Sequence, residues 1–435
     1  MKCLLYIPPF ECEGIKLPNI AYVRIGGLTL YQRACRSIQK AAFDEIIIAK
    51  PKALEFPADD HVTIPLRTLD YETRIGELSE DLRKAVGIDS VCICVLDGML
   101  SPECLSMRPV GADVRIYVDK SPTGVYFMMP ATFKQLLATD ENLDDIDNLI
   151  SESFDAPERT LYHRVMSSED IRLSQRKLTK SLKKPLGRDA DGIVAYFINR
   201  PCSLQISKRL ANSFVTPNMV SAFGLILGLG AAALVATGVP FLMVIAVIVW
   251  QIASMVDGID GELARMRMSP SHSGEWFDTV ADDITNITFM LGLGHGLYLT
   301  GLNFPFMGDN SSIIFLYVAM VVCGLMVIVV GWFYIEFIKL GIASHNHFEW
   351  GFETENKSNK EHEHRNIVRR VLAKIAGGFA WCAKRDFYTF LIMILVLCSL
   401  YRVAYFVMLT GAICVGVGGL IALTIRAIRG CFKKK

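Results

Sequence analysis

A charge excess is the first thing this 435-residue chain lacks: 45 Lys and Arg stand against 44 Asp and Glu, a net charge of +1. That balance offers no global electrostatic attraction to nucleic acid, so no nucleic-acid partner is expected. Metal-type cysteine spacing is missing too. The twelve cysteines are scattered singly apart from Cys92 and Cys94, with no C-x2-C pair, which points to reduced, structural thiols. The amino terminus, MKCLLYIPPFECEG, has too short an apolar stretch for a secretory signal and contains Glu11 and Glu13. It is expected to begin a cytosolic domain.

What is abundant is apolar sequence, and it is unevenly spread. The hydrophobic share is 52% and the mean hydropathy +0.35, both high for a soluble protein. Charges occur throughout the first 210 residues or so, whereas long apolar runs dominate beyond. A helical span needs about 20 mostly apolar residues. Six segments qualify, at 214–237, 239–262, 279–301, 312–341, 386–404 and 406–427. The turn at 238–240 and the loop at 302–312 contain no Lys or Arg, while 169–210, 265–275, 346–385 and the CFKKK tail are rich in them. Six spans put every basic segment on one side, so both termini are expected in the cytoplasm and the protein in the cell (inner) membrane.

The end of the second span and the start of the third carry Asp257, Asp260, Asp278, Asp282 and Asp283 at or near hydrophobic depth. Carboxylates there cost a few kcal/mol each on insertion scales, so several together imply use. Offsets of three and four share a helix face, which aligns Asp257, Asp260, Gly261 and Ala264, and likewise Asp278 with Asp282. The turn-forming SPSHSG between them would let the two helices pair. Four converging carboxylates call for a divalent cation, and an all-oxygen set suits Mg²⁺ or Mn²⁺. Small residues at Gly261, Ala264 and Gly274 leave room for a ligand, and Arg265 could meet an anionic phosphate.

The complete pattern is D-x2-D-G-x2-A-R-x8-G-x3-D-x3-D, from Asp257 to Asp282. It resembles the signature of the CDP-alcohol phosphotransferase (CDP-alcohol phosphatidyltransferase) family. That resemblance implies transfer of a substituted phosphate from a CDP-alcohol donor to an acceptor hydroxyl, with release of CMP. It implies two metal ions on Asp257, Asp260 and Asp278, with Asp282 contributing and serving as the base. Gly261, Ala264, Arg265 and Gly274 would accommodate the CDP-alcohol. Family members are commonly homodimers. The stretch 188–218 resembles the family's amphipathic approach to the membrane, with Arg200, Lys208 and Arg209 towards headgroups or substrate phosphate. Arg200 and Arg385 are candidates for the acceptor. Asp283 falls outside the pattern and is expected to be solvent-facing or to support the site from behind.

Strands are expected at 2–7, 45–50, 61–65, 91–96 and 113–119, and helices at 28–42 and 73–87. This alternation predicts an α/β domain with a mainly parallel sheet. Three pieces (26–49, 95–100 and 123–137) resemble sugar-phosphate nucleotidyltransferases, with Asp97 as the strand-end acid. Residues 8–27 hold no G-x-G-x-x-R run to wrap nucleotide phosphates, so the domain is expected to be degenerate. The organisation is therefore a cytosolic domain at 1–165, a basic linker and interfacial helix at 166–212, and a six-helix all-α membrane domain at 213–435. His345, His347, His362 and His364 fit a solvated loop better than a metal site. A cation or proton transporter is the competing function, but it would show internal repeats, and none is visible.

Overall fold

The computed structural model describes residues 1–9, 17, 19–72, 75–87, 89–107, 112–137, 146–150, 152–157, 160–183, 191–309, 311–343 and 384–432. The four loop histidines lie outside them, as do residues 10–16 and 18 of the segment at 8–27. The chain divides into two compact units. The first comprises Met1–Leu182 with Ala211–Ser213 and Arg265–Ser269; the second comprises Lys183–Leu210, Phe214–Ala264 and Pro270–Lys435.

The first unit is built on a seven-stranded sheet. Its strands are β1 (Lys2–Tyr6), β2 (Glu45–Pro51), β3 (Leu66–Tyr71), β4 (Val91–Val95), β5 (Val114–Val118), β6 (Ser121–Met128) and β7 (Glu152–Asp155). The spatial order is β7-β5-β6-β4-β1-β2-β3, parallel except where β6 pairs antiparallel with β4 and β5. Side chains alternate across the pleat. Cys3, Leu5, Cys92 and Cys94 enter one core, and Leu4, Tyr6, Val91 and Ile93 enter another on the opposite face. Cys92 and Cys94 are thus buried thiols packed as small hydrophobes.

Helix α1 (Leu30–Lys40) covers the first of these cores. Thr29 accepts from the Gln32 amide and Gln32 answers the Thr29 amide, a capping box that fixes the start. Leu30, Ala34 and Ile38 recur at offsets of four and are buried. The expected strand at 61–65 is not formed. Asp59 turns the chain there, its side chain accepting from the His61 amide and its carbonyl from Val62, and pairing begins only at Leu66. The strand β6 went unpredicted because its hairpin with β5 turns through Asp119 and Lys120, both at positive φ, without glycine.

Arg265–Ser269 belongs to this first unit. Arg33 Nη2 donates to Met266 O at 2.7 Å and to Ile25 O at 2.8 Å. Arg36 Nη1 donates to Arg267 O, and the same guanidinium forms a bidentate pair with Asp59 at 2.7 Å. Both members of that pair are buried.

The second unit is helical. Helix α2 (Arg200–Leu210) follows one wide turn at Ala195–Asn199. After it come α3 (Pro217–Ala236), α4 (Pro240–Met266), α5 (His272–Leu299), α6 (Ile313–Leu340), α7 (Arg385–Leu397) and α8 (Tyr401–Phe432). The last six lie where six spans were expected, but four meet the requirement of length and apolarity: Pro217–Ala236, Pro240–Met266, Ile313–Leu340 and Tyr401–Ile421. Helix α5 falls short because Glu275, Asp278, Asp282 and Asp283 keep its first half polar. Helix α7 has 13 residues, or about 20 Å at 1.5 Å each, short of a hydrocarbon core of about 30 Å. Helix α6 leaves Val321, Ile328 and Ile338 exposed, the pattern of a helix whose surroundings are apolar.

Helices α3 and α5 pack at backbone distance. A Cβ added at Gly228 would sit 2.3 Å from Thr285 Cγ2, and one at Gly296 would sit 2.2 Å from Val235 O. Thr216 caps α3 by accepting from Met219 N, with Pro217 in the first turn. Trp250 stacks on Phe289 with centroids 3.8 Å apart, fixing α4 against α5 behind the acidic residues.

Candidate functional site

The acids of the second unit come from the last turns of α4 and the first turns of α5. Ser271 starts α5 by accepting from the Gly274 amide. A Cβ at Gly274 would meet Ser271 Oγ at 2.8 Å and Asn218 Oδ1 at 3.1 Å, so this motif glycine is needed for a close approach. Four residues on, Asp278 begins the acidic face.

Asp257, Asp278 and Asp282 each offer a carboxylate oxygen, and these oxygens lie within 4.8 Å of one another. All three residues are half-buried. Asp260, expected among the primary ligands, is buried beside Asp278 and accepts from Ser221 Oγ of α3 and from the Gly261 amide. Ser221 was invisible to sequence reasoning because nothing in the motif points to α3.

Arg385, at the start of α7, reaches into this group. Its Nη1 donates to Asp257 Oδ1 at 3.0 Å and also to Asp282 Oδ1, and its Nη2 lies 3.5 Å from Thr285 Oγ1. A guanidinium thus occupies the space between two acids where a cation is required, so the donor set suits a positive ion. Each carboxylate there is an oxygen ligand of the kind that hard divalent cations prefer. Asp283 points elsewhere and accepts from Tyr334 OH at 2.6 Å. Asp386 is turned towards the wide turn before α2, accepting from the Ala195 amide at 2.7 Å.

Arg200 does not face headgroups. Its Nε and Nη2 bind Asp191 at 3.0 Å each, and its Nη1 binds Glu262 Oε1 at 2.8 Å. Two carboxylates satisfy it inside the unit, leaving Lys208 and Arg209 on the exposed side of α2. Glu262 itself escaped the sequence reading, although an acid inside DGIDGELAR at hydrophobic depth carries the same cost as its aspartate neighbours. Gly261 and Ala264 are half-buried on α4, and Arg265, at its end, is exposed.

In the first unit, Asp97 is buried, accepts from Tyr162 OH at 2.8 Å and lies 3.5 Å from Arg164 Nε. Burial pushes its carboxyl above the usual carboxylate range, against the pull of Tyr162 and Arg164.

Residues 214–421, a little under half of the chain, match the CDP-alcohol phosphatidyltransferase family model. Among curated proteins, the chain is 36% identical over 129 residues to a bifunctional IPC transferase and DIPP synthase of Aquifex aeolicus, covering 30% of this chain and 28% of the relative. It is 32% identical over 131 residues to the protein of that description from Thermococcus kodakarensis, covering 30% and 28%. The chain therefore matches little more than a quarter of the length of these relatives. Among solved structures, a UDP-glucose pyrophosphorylase bound to UDP-glucose aligns with 41% of this chain and 98% of its own, at 10% identity and a TM-score of 0.33. A putative glucose-1-phosphate thymidylyltransferase of Bacillus anthracis aligns with 40% and 94%, at 13% identity and a TM-score of 0.32. Scores this low decide nothing about the first unit.

Proposed function

We propose that this protein is an integral membrane CDP-alcohol phosphotransferase, moving a substituted phosphate from a CDP-alcohol to an acceptor hydroxyl and releasing CMP. The observation that carries the reading is the meeting of Asp257, Asp278 and Asp282 within a domain of the matching family. These three, with Asp260 beside them, would hold Mg²⁺ or Mn²⁺, in two sites by the family pattern. Bound divalent cations supply charge neutralisation at the attacking and leaving oxygens.

The chain's own residues do the rest. Asp282 stands at the edge of the cluster and takes the proton of the acceptor hydroxyl. The freed oxygen bonds to the phosphorus that carries the alcohol, and the bond from that phosphorus to the CMP oxygen breaks. Arg385, which bridges Asp257 and Asp282, would be free to meet an acceptor phosphate or carboxylate with a metal ion held by those acids. Gly261, Ala264, Arg265 and Gly274 line the approach of the CDP moiety. Arg200 drops out as an acceptor ligand, since both of its edges are engaged.

The relatives' names favour an inositol-phosphate-type product over a diacylglycerol-derived one. Six helices lie in the bilayer in this reading, α5 shielded by its neighbours and α7 crossing only part of the hydrocarbon core. The acidic cluster, the N-terminal domain (1–165, followed by the 166–212 linker) and the C-terminus face the cytoplasm of the inner membrane, with 213–435 as the membrane domain. A homodimer is the expected assembly. The first unit plays a non-catalytic role.

The test offers purified protein a panel of CDP-alcohols and acceptors with Mg²⁺ or Mn²⁺ and follows CMP. One pair should release CMP, and Asp282→Asn should lower that release by about 10²–10⁴-fold in folded protein, the usual worth of a general base. Full release by Asp282→Asn removes the assignment of the base. Cation flux into proteoliposomes without CMP release would favour the transporter reading instead.

A further inference from the structure

Glu262 is fully buried on α4, two residues after Asp260. Three donors from α2 converge on its carboxylate: Arg200 Nη1 at 2.8 Å, Ser203 Oγ at 2.7 Å and Ser207 Oγ at 2.6 Å. Residues 200, 203 and 207 follow the offsets of a single helix face, so α2 presents a row of donors to a single acid. Asp191 holds the far edge of the same guanidinium, with its own side chain 5% exposed. Room for Arg200 comes from Gly258, where an added Cβ would lie 3.1 Å from Nη1.

The geometry of a helix gives this arrangement its meaning. At about 100° per residue, Gly258 and Glu262 share one side of α4, while Asp257 and Asp260 share another, more than a quarter-turn away. Clamping Glu262 therefore fixes the rotation of α4 about its axis. A carboxylate rides about 5–6 Å from that axis, so a turn of about 20° would move it by roughly 2 Å, enough to break a metal site. Burying an acid and its partners is costly compared with packing apolar side chains, and such groups are best justified by the register they impose.

We propose that Glu262 is a positioning residue for the metal-binding face of α4, held by Arg200, Ser203 and Ser207 of α2. The inference rests on the reading of the aspartates as a metal site. It makes Arg200 a keeper of alignment and not a substrate ligand. It also gives Gly258 a role separate from the motif glycines: it leaves the slot in which the guanidinium lies.

The test uses the full chain in detergent and measures Mn²⁺ binding directly by electron paramagnetic resonance, alongside kcat and acceptor KM. Glu262→Ala should weaken Mn²⁺ binding at least tenfold and lower kcat comparably, with acceptor KM within twofold. Glu262→Gln, which keeps the acceptor oxygen, should recover binding to within about threefold of wild type. Should Glu262→Ala fail to fold, Gly258→Ala carries the test: its added methyl displaces Arg200 and should weaken Mn²⁺ binding by about threefold. Unchanged Mn²⁺ binding in folded Glu262→Ala or Gly258→Ala overturns the inference, as does an Arg200→Lys variant that raises acceptor KM while binding Mn²⁺ normally. Wild-type protein that binds no Mn²⁺ overturns the metal-site reading itself and this inference with it.

Discussion

Acidic residues are buried in both units, yet the two units treat them differently. In the first, each buried acid has its own partner: Asp59 takes the Nε and Nη2 edge of the Arg36 guanidinium, and Asp97 has Tyr162 and Arg164. In the second, Asp257, Asp278 and Asp282 crowd together, and Arg385 bridges two of them. A partnered acid is part of the architecture. Three acids drawn together, with one guanidinium shared by two of them, are held at a cost that the proposed divalent ion would offset. Glu262 sits in the second unit but belongs with the first kind, since three donors answer it.

That contrast breaks or holds under substitution, beginning with the largest effect. Asp278→Asn should cut CMP release by at least about 10²-fold, while in metal-free buffer its thermal stability equals or exceeds that of wild type, because a like charge has been removed from the cluster. Thermal unfolding with and without Mn²⁺ reads both halves, and a large loss of metal-free stability would mean the aspartate is structural. Asp59→Asn should do the opposite. Removing one member of a buried pair costs about 3 kcal/mol, so the melting temperature should fall while CMP release per folded molecule holds near wild type. A melting temperature equal to wild type would erase the distinction between the two units.

Asp97→Asn should give the smallest change and a particular pH dependence. Burial raises the Asp97 carboxyl in the folded state, so the folded protein holds a proton that the unfolded chain has released, and stability falls as pH rises through that interval. The asparagine variant lacks this loss. It should match wild type in acid, below the ordinary carboxylate range, and exceed it at neutral pH, measured from the melting of the first unit's sheet. A variant less stable than wild type at pH 7 would show that the ionised form is preferred.

Much of this was legible in the chain. The motif from Asp257 to Asp282 announced the site because ionisable residues in apolar surroundings stand out without any fold being known. Strands β1, β2, β4 and β5 were readable from runs such as EIIIAK and VCICVL. Other features depended on tertiary partners. Ser221 joins the site across α3, and no local pattern marks a serine as the donor to an aspartate 39 residues away. Arg200 read as a surface cation because Asp191 and Glu262 meet it only in the folded unit. The strand at 61–65 failed because Asp59 turns the chain there, and a side-chain bond to the next amides outweighs β-propensity.

The inclusion of Arg265–Ser269 in the first unit has a practical meaning for anyone dividing this protein. The chain passes between the two units at 182/183, 210/211, 213/214, 264/265 and 269/270, so no single cut separates them. A fragment beginning at residue 183 would keep every aspartate of the motif and still lose Arg33 and Arg36, the donors to the carbonyls of Met266 and Arg267.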